Sequence, residues 1–326
     1  MAYPTSTLTV TRPDLGGSLI EYPLDAMNGG FIALEVLPVI QAELQASKFG
    51  VIPVEQLLKV PEVTRASSGG YNRTGFTFRE EFYSTQEYGI EEPVDARNSA
   101  MYKNYFDMEL ISAQRCRSII LRRAEMRAAA LIFNSTTWTG GSLTTSITNE
   151  WDDYTNATPI YDVENAVRKI YSNSGLWANA LIINRKVFRN LRLCDQIMDA
   201  IRSEGAGNPS KASDITVGML SAVFDLPKII VAGGSYDSAL EGQDATIADI
   251  WDDEYAMVAR VATTNDISEP CIGRTIHWSE DGSEIGGTVE EYIDPTVRAK
   301  IIRVRHDVQE KVLYKECGHL LSNITT

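Results

Sequence analysis

A long stretch without proline or glycine sets the strongest limit on what this chain can fold into. Neither residue occurs between Arg97 and Thr139, so nothing in the composition breaks a helix there. Apolar side chains recur at helical spacing between Phe106 and Leu131, which is typical of one buried helix face. The spacing predicts a continuous helix over about 96–133, roughly 50 Å long at about 1.5 Å per residue.

The region before this helix is predicted to contain two parts that cannot bury themselves. Residues 1–30 are rich in Thr, Pro and Gly without a periodic pattern, which indicates an extended N-terminal arm. Strand-like runs flank a Ser/Gly tip at 67–70 and predict a long β-hairpin at about 46–88, within a strand region 31–95. Because a lone hairpin is unstable, we expect both parts to pack on a neighbour.

The region after the helix changes from alternating helices and strands to strands alone. Residues 134–158 are rich in Thr, Gly, Ser and Asn and predict a linker. Short apolar strands alternate with helices over 159–269, which predicts an α/β unit. From 270 to 326, alternating apolar and polar residues predict long, half-buried strands. The predicted N-caps in the α/β unit are Thr158, Asn184 and Asp214.

The chain is acidic, and its charge is unevenly placed. Lys and Arg number 30 against 44 Asp and Glu, a formal net charge of −14. Phosphate binding needs clustered basic residues, so the balance argues against a nucleic-acid-binding enzyme. Residues 195–270 hold 14 acidic and 4 basic side chains, whereas 101–133 and 298–315 carry net charges of +3 and +4. Complementary surfaces of this kind can steer how subunits register.

Several classes of protein are excluded by simple absences in the sequence. There is no run of about 20 apolar residues, so no transmembrane helix is expected. Arg12 is the only basic residue before position 30, and no apolar core follows it, which argues against a signal peptide. None of the four cysteines lies in CxxC spacing, which favours reduced thiols over a disulfide framework.

The residues that carry chemistry in other proteins form no recognisable site here. The acidic runs Trp151-Asp152-Asp153 and Trp251-Asp252-Asp253-Glu254 are interpreted as solvated turns, because adjacent carboxylates point in different directions and no His or Cys lies beside them. His277, His306 and His319 lack metal-ligand spacing and are interpreted as structural. The glycine pairs match neither GxxxxGK[ST] nor GxGxxG. No catalytic residue, cofactor or metal is therefore predicted.

Five segments, taken together, carry a resemblance to a known family. They are FIALEVLPVIQAELQASKFGVIPVEQL, FTFREEFYSTQEYGIEEPVDARN, WANALIINRKVFRNLR, SAVFDLPKIIVAGGSYDSA and IWDDEYAMVARV. In this order, with an arm, a hairpin, a long helix, an α/β unit and closing strands, the chain resembles the major capsid proteins of tailed bacteriophages. These proteins have the Hong Kong 97 fold, an α+β architecture.

The resemblance implies a division of the chain. The N-terminal arm would be 1–30, and the extended loop about 46–88. The peripheral domain would hold the spine helix and linker, 96–158, and the closing strands, 270–326. The axial domain, 159–269, would point to the fivefold and sixfold axes.

The implied function is structural, not enzymatic. Subunits would assemble into hexamers and pentamers of an icosahedral head that encloses double-stranded DNA without sequence-specific binding or a membrane. The protein would be made in the host cytoplasm and end in the virion. A separate scaffolding protein is expected, because only about 30 residues precede the body, together with a portal and decoration proteins. Subunit-interface candidates are Arg65, Arg73, Arg79, Glu80, Glu81, Arg122 and Arg123.

The covalent cross-link of the type member of this family is not expected here. Lys48 and Lys59 lie near the loop, but no Asn partner or catalytic Glu can be identified. Denaturing gel electrophoresis of mature particles tests this, because cross-linked subunits would run as ladders above the monomer.

Two alternative functions remain open from the sequence. The first is an encapsulin-like nanocompartment shell with the same fold, which would package an enzyme instead of a genome. The second is a soluble α/β hydrolase or transferase with a pocket around carboxylates such as Asp252 and Asp253. Nucleic acid in purified particles separates the first from a phage head, and size-exclusion chromatography separates both shells from a small enzyme.

Overall fold

The structure of the protein is a computed structural model. It describes residues 10–11, 30–53, 56, 58–102, 107–203 and 214–326. Of the predicted N-terminal arm, only Val10, Thr11 and Gly30 fall within these ranges, and the rest lies outside the described residues.

The first part of the chain forms short strands around one long helix. Pro38 separates a one-turn helix from the strand that follows it, because proline cannot continue a helix. The elements are β1 (Val10–Thr11), α1 (Ala33–Val36), β2 (Val39–Ala42), β3 (Ala46–Val51), β4 (Arg79–Ser84), β5 (Gln86–Asp95), α2 (Ala96–Tyr102), α3 (Met108–Ile132) and β6 (Thr144–Ser146).

The second part alternates helices and strands and then ends in strands, as the sequence pattern predicts. Its elements are α4 (Pro159–Ser174), β7 (Ala180–Asn184), α5 (Arg185–Leu191), α6 (Asp195–Ser203), α7 (Val217–Phe224), β8 (Lys228–Ala232), β9 (Ser235–Asp237), β10 (Ile247–Asp249), β11 (Tyr255–Ala259), β12 (Gly273–Trp278), β13 (Thr288–Asp294), β14 (Ala299–Val312) and β15 (Gly318–Ser322).

The first sheet is built around the 14-residue strand β14. Its strand order is β1-β13-β14-β12-β2, and β5 also pairs with β14. β5, β12 and β13 run antiparallel to β14, while β2 runs parallel to β12. Ile302, Val304, His306 and Val308, which alternate with polar residues in the sequence, are all buried. Their alternation identifies one covered face of the sheet, and on the opposite face Ile301 and Asp307 are buried as well.

The helix α3, called the spine helix below, packs on this face. It is shorter than the helix that the sequence predicts. It has 25 residues, or about 37 Å at about 1.5 Å per residue. Asp107 precedes it in an extended conformation and accepts hydrogen bonds from the backbone N–H groups of Glu109 (3.0 Å) and Leu110 (3.4 Å). The single helix predicted over 96–133 is therefore wrong: α2 ends at Tyr102, and this aspartate caps a new helix.

The second sheet contains the α/β part of the chain. Its order is β6-β15-β11-β7-β8, with β7 and β8 parallel and β11 antiparallel to β7. Every residue of β7 is buried, and helices α4 to α7 pack on the same core. The sequence pattern places 270–326 together, whereas the structure divides this stretch: β12 to β14 lie in the first sheet and β15 in the second.

The helix caps of this part agree only partly with the sequence. Asn184 caps α5 as predicted, because its side chain accepts a hydrogen bond from Lys186 N at 2.8 Å. The cap of α7 is Thr216, whose hydroxyl accepts from Met219 N, and not Asp214. Thr158 stands at the N-cap of α4 without a side-chain hydrogen bond there. The Pro159 ring removes one of the N–H groups that would otherwise need a cap.

Candidate assembly surface

A β-hairpin is formed by the chain between β2 and β5, two strands of the first sheet. β3 and β4 pair in antiparallel register, with Phe49 opposite Glu81 and Gly50 opposite Glu80. No strand or helix is formed over 59–78. The extended loop, defined here as residues 46–84, therefore has a two-stranded stem and an irregular tip. The strand predicted to run on to Tyr88 ends at Ser84, and β5 joins the first sheet instead.

Large apolar side chains on the extended loop are exposed. Val60 is 91% exposed and Phe76 is 68% exposed, so the body of the subunit covers neither of them. Apolar surface of this extent on one protrusion marks an interaction site. Among the described residues of the loop, the exposed large apolar ones are Leu58, Val60, Val63, Tyr71, Phe76, Phe78 and Phe82.

The charged candidates in the stem are paired along the hairpin itself. Arg79 Nε lies 3.0 Å from Glu81 Oε1, and Lys48 Nζ lies 3.0 Å from Glu80 Oε2. Lys311 of β14 also reaches Glu81, at 3.1 Å. This last contact ties the stem to the first sheet. The exposed pairs are worth only about 0.2–1 kcal/mol each, so they can exchange for partners in another subunit.

The two predicted arginines of the tip have different surroundings. Arg65 donates from Nε to the carbonyl of Gly69 at 2.6 Å, and its guanidinium lies 4.6 Å from the ring centre of Tyr71. This pair of contacts closes the turn at Ser68, which has a positive φ of 65°. Arg73 is exposed at the outer part of the tip.

The spine-helix candidates lie on a different element from the loop. Arg122 donates to the carbonyl of Ser235 at 3.1 Å, which joins the helix to the β9–β10 hairpin. Arg123 is exposed at the border of a groove of about 560 Å³ between the spine helix and β5. The apolar lining of this groove includes Ile90 and Met126.

A buried carboxylate joins three segments of the chain, and the sequence prediction missed it. Glu125 of the spine helix is 2% exposed. It accepts hydrogen bonds from Ile32 N (2.7 Å), Ala33 N (2.8 Å) and Trp251 Nε1 (2.6 Å). Burial raises the pKa of this carboxyl, against the hydrogen bonds, which lower it. The only signal in the sequence is one acidic residue on the apolar stripe of the spine helix.

An ion pair between a buried arginine and a half-buried glutamate holds the crossing from the second sheet back to the first. The Arg274 side chain is fully buried and lies 3.3 Å from Glu269. Burial by itself would raise the pKa of Glu269. Hydrogen bonds from the backbone and hydroxyl groups of Thr263 and Thr264 outweigh it and hold the pKa at about 2. This carboxylate is therefore ionised, and it fixes the loop ahead of β12.

The acidic runs have structural partners. Lys186 lies 3.1 Å from Asp249 and 3.3 Å from Asp253, and these hydrogen bonds raise its pKa. Asp153 accepts from Asn156, whose hydrogen bonds lower the pKa of this carboxyl. In the part of the chain that the structure describes, no group of three or more His, Cys, Asp or Glu side chains is arranged to hold a metal ion.

The three histidines are buried in the two sheets. His277 Nε2 lies 3.4 Å from Ser283 Oγ, but each residue is only 3% exposed, so a substrate cannot reach the pair. His319 is held by Thr145 Oγ1 at 2.8 Å and by the carbonyl of Ser142 at 3.0 Å. Burial lowers the pKa of His306 and of His319 to about 4. Neutral, packed imidazoles of this kind fit a structural role.

All four cysteines are free and buried. Among helices within the described ranges, none combines the length and apolar character needed to cross a bilayer.

Comparison with known proteins places this architecture in a recognised fold. No family model matches the chain. The major capsid protein of Pseudomonas phage JBD67 is 24% identical over 318 residues, which cover 95% of this chain and 96% of the relative. The crystal structure of a phage-related protein from Bordetella bronchiseptica RB50 matches with a TM-score of 0.70 at 18% identity, over 97% of this chain and 98% of the other.

A second solved structure agrees. The putative capsid protein of a prophage of E. coli CFT073 matches with a TM-score of 0.56 at 14% identity, over 97% of this chain and 99% of the other. The chain therefore has the Hong Kong 97 fold, and the predicted fold class is confirmed. The resemblance to phage major capsid proteins that the sequence segments indicate is confirmed as well.

Proposed function

We propose that this chain, with its Hong Kong 97 fold, is the major capsid protein of a tailed bacteriophage. The observation that carries the proposal is the extended loop, which exposes apolar side chains such as Val60 and Phe76 to solvent. A two-stranded hairpin has too little core to be stable alone. A subunit that lends such a loop to its neighbours gains the missing core on assembly. The full-length match to a phage major capsid protein supports the same function.

The assembly itself is a shell of hexamers and pentamers. Contacts that close into rings are heterologous, so each subunit offers two different surfaces. The extended loop is one of these surfaces. Obligate contacts of this type bury about 2,000 Å² or more, and an apolar loop tip is suited to contribute to such an area.

Charged residues set the register between neighbouring subunits in this proposal. The pairs within the stem are exposed, so exchange with residues of a neighbour costs little. A charge-reversed Arg79→Glu variant is expected to assemble poorly. Assembly at normal yield would contradict the proposal that charges of the loop set the register between subunits. The residues proposed to lie at subunit interfaces are Arg65, Arg73, Arg79, Glu80, Glu81, Arg122 and Arg123.

The shell would enclose double-stranded DNA without reading its sequence. A net charge of −14 favours a wall that does not grip the phosphate backbone. We further propose a separate scaffolding protein, a portal and decoration proteins as partners, synthesis in the host cytoplasm and incorporation into the virion. Portal and terminase genes beside the capsid gene, and DNA in purified particles, are expected. A cargo enzyme in the particles would instead support an encapsulin-like shell.

The decisive experiment is negative-stain microscopy and size-exclusion chromatography of the expressed full chain. Shells or capsomers are expected, and a stable monomer or dimer would contradict the proposal. The double variant Phe76→Asp/Phe78→Asp is expected to stay folded by circular dichroism but to lose assembly. Thr77→Asp, between the two phenylalanines and equally exposed, is the matched control and is expected to retain it.

The hydrolase or transferase alternative receives no support from the site geometry. Asp253 is engaged by Lys186, and the Ser283–His277 pair is closed to solvent. We therefore propose a structural role without enzymatic activity.

A further inference from the structure

A cavity of about 360 Å³ lies between the spine helix and the first sheet. Leu121, Ala124 and Glu125 line it from the helix, and His306 and Val308 line it from β14. Its volume falls within the range of small-molecule pockets, about 300–1,000 Å³.

The cavity exists because the side chains of the spine helix and of β14 are not in contact along this part of the helix. Earlier in the helix, Ala113 and Ile120 pack against Ile302 and Val304 in a closed apolar cluster. Further along, the short side chain of Ala124 faces the sheet and leaves the space above β14 unfilled. The cavity is partly open to solvent, since Leu34, one of its lining residues, is 43% exposed.

Two buried polar atoms beside the cavity have no hydrogen-bond partner among the described residues. One is Nε2 of His306, a residue only 3% exposed that lines the cavity. The other is Nε of Arg117. Arg117 is not among the residues that line the cavity, but its guanidinium packs against Gly286, which is. Buried polar groups nearly always have a partner, so Nε2 of His306, which lines the cavity, points to a bound molecule that can hydrogen-bond.

The two carboxylates that line the cavity, Glu125 and Glu310, already have hydrogen-bond donors within the chain. Glu125 accepts three hydrogen bonds from N–H groups. Glu310 pairs with Arg127 in a bidentate contact, at 3.0 and 2.8 Å. An anionic ligand would be repelled by these two carboxylates, and a cationic one would find no free countercharge. A neutral ligand is the best fit to this balance.

We propose that this cavity binds a small neutral molecule with an apolar body and one hydroxyl group. The body fills the space beside Ala124, and the hydroxyl group hydrogen-bonds with His306 Nε2. The site is separate from the extended loop and does not depend on the proposed function. Because the ligand bridges the spine helix and the first sheet, its binding stabilises the folded chain.

Thermal unfolding of the full chain with benzyl alcohol as the probe tests the site, and toluene serves as the probe of similar shape without a hydroxyl. Benzyl alcohol at about ten times its Kd is expected to raise Tm saturably by about 2–4 °C. Toluene is expected to bind about tenfold more weakly, since it makes no hydrogen bond.

Two phenylalanine variants of the spine helix locate the effect. Ala124→Phe fills the cavity and is expected to abolish the shift while raising the Tm of the free protein. Ala130→Phe, at an exposed position of the same helix, is the matched control and is expected to keep the shift. Ligand-observed NMR on the wild-type chain measures binding directly, whether or not the variants fold.

The opposite results would overturn the proposal. Absence of saturable benzyl alcohol binding in the NMR measurement would mean that water alone, or another part of the chain, occupies the cavity. A Tm shift retained in Ala124→Phe would place the binding elsewhere. Equal affinity for toluene and benzyl alcohol would show that the site does not recognise the hydroxyl group of the ligand.

Discussion

Replacing Glu125 by Ala is expected to lower the free energy of unfolding by about 3–5 kcal/mol. The change leaves three buried N–H donors without an acceptor: Ile32 N, Ala33 N and Trp251 Nε1. Each costs about 1–3 kcal/mol when unsatisfied. Part of this cost is offset, because burial of the carboxylate is itself unfavourable, as its raised pKa shows. The expected net cost therefore lies in the lower half of the roughly 3–9 kcal/mol that three unsatisfied donors would cost by themselves.

Urea unfolding of dispersed subunits, followed by tryptophan fluorescence, measures this effect. Glu125→Gln keeps one acceptor oxygen and is expected to cost about half as much. Glu164→Ala is the control, because Glu164 forms an exposed pair with Arg168 one turn away that is worth only about 0.3–0.5 kcal/mol.

A double-mutant cycle separates the hydrogen bond from general packing. Trp251→Phe removes the indole donor and keeps a ring against Phe133, whose centre lies 4.9 Å from that of Trp251. Glu125→Ala and Trp251→Phe are expected to couple by about 1–2 kcal/mol. Additive effects, or a loss below about 1 kcal/mol in Glu125→Ala alone, would refute the reasoning.

Three further predictions concern acid stability, helix capping and thiol reactivity. Burial lowers the pKa of His306 to about 4, below its ordinary value of about 6.5, so stability is expected to fall by up to about 3 kcal/mol as the pH drops from about 6.5 to 4. His319 has the same lowered pKa, so His306→Phe should remove only the part of the slope of a urea-midpoint titration that is due to His306, and an unchanged slope would contradict the assignment. Asp107→Ala is expected to cost about 1 kcal/mol in thermal unfolding, whereas Thr158→Ala, which removes no capping hydrogen bond, should cost less than about 0.5 kcal/mol. Burial raises the pKa of Cys194 and Cys317 to about 12, so both thiols should react with a disulfide reagent about a thousandfold more slowly than in urea.

Features set by local patterns could be predicted from the sequence. The alternation around His306 identified the buried face of β14, because side chains of a strand alternate between its faces. Asn184 was identified as a helix cap, because the residue that follows a buried strand and precedes a helical run is well placed to accept a backbone hydrogen bond. These features depend on residues close together in the chain.

Features set by contacts between distant residues could not be predicted in the same way. β15 follows β14 closely in sequence but pairs with β11 and β6 in the other sheet. Nothing in the local pattern of 318–322 distinguishes the two sheets. The break at Asp107 was missed for a different reason: apolar spacing continues across it, and only the cap shows that one helix ends and another begins.

The candidate assembly surface and the buried contacts also differ in how far local sequence patterns predict them. An exposed hairpin was predicted from its weak core, and its exposed apolar side chains agree with that expectation. The contribution of the acidic run 251–254 to the buried part of the subunit could not be predicted in this way. In the run Trp251-Asp252-Asp253-Glu254, the carboxylates are the residues that could carry chemistry. Trp251 is the residue that is fully buried, and its indole N–H meets Glu125 at a point where the spine helix, the second sheet and the start of α1 converge. An isolated glutamate on an apolar helix face needs a donor from elsewhere in the fold. A tryptophan beside a turn is a suitable donor, since its ring buries well and its N–H requires an acceptor. Glu125 and Trp251 are the two halves of such a pair, and they are 126 residues apart in the chain, so no local pattern connects them.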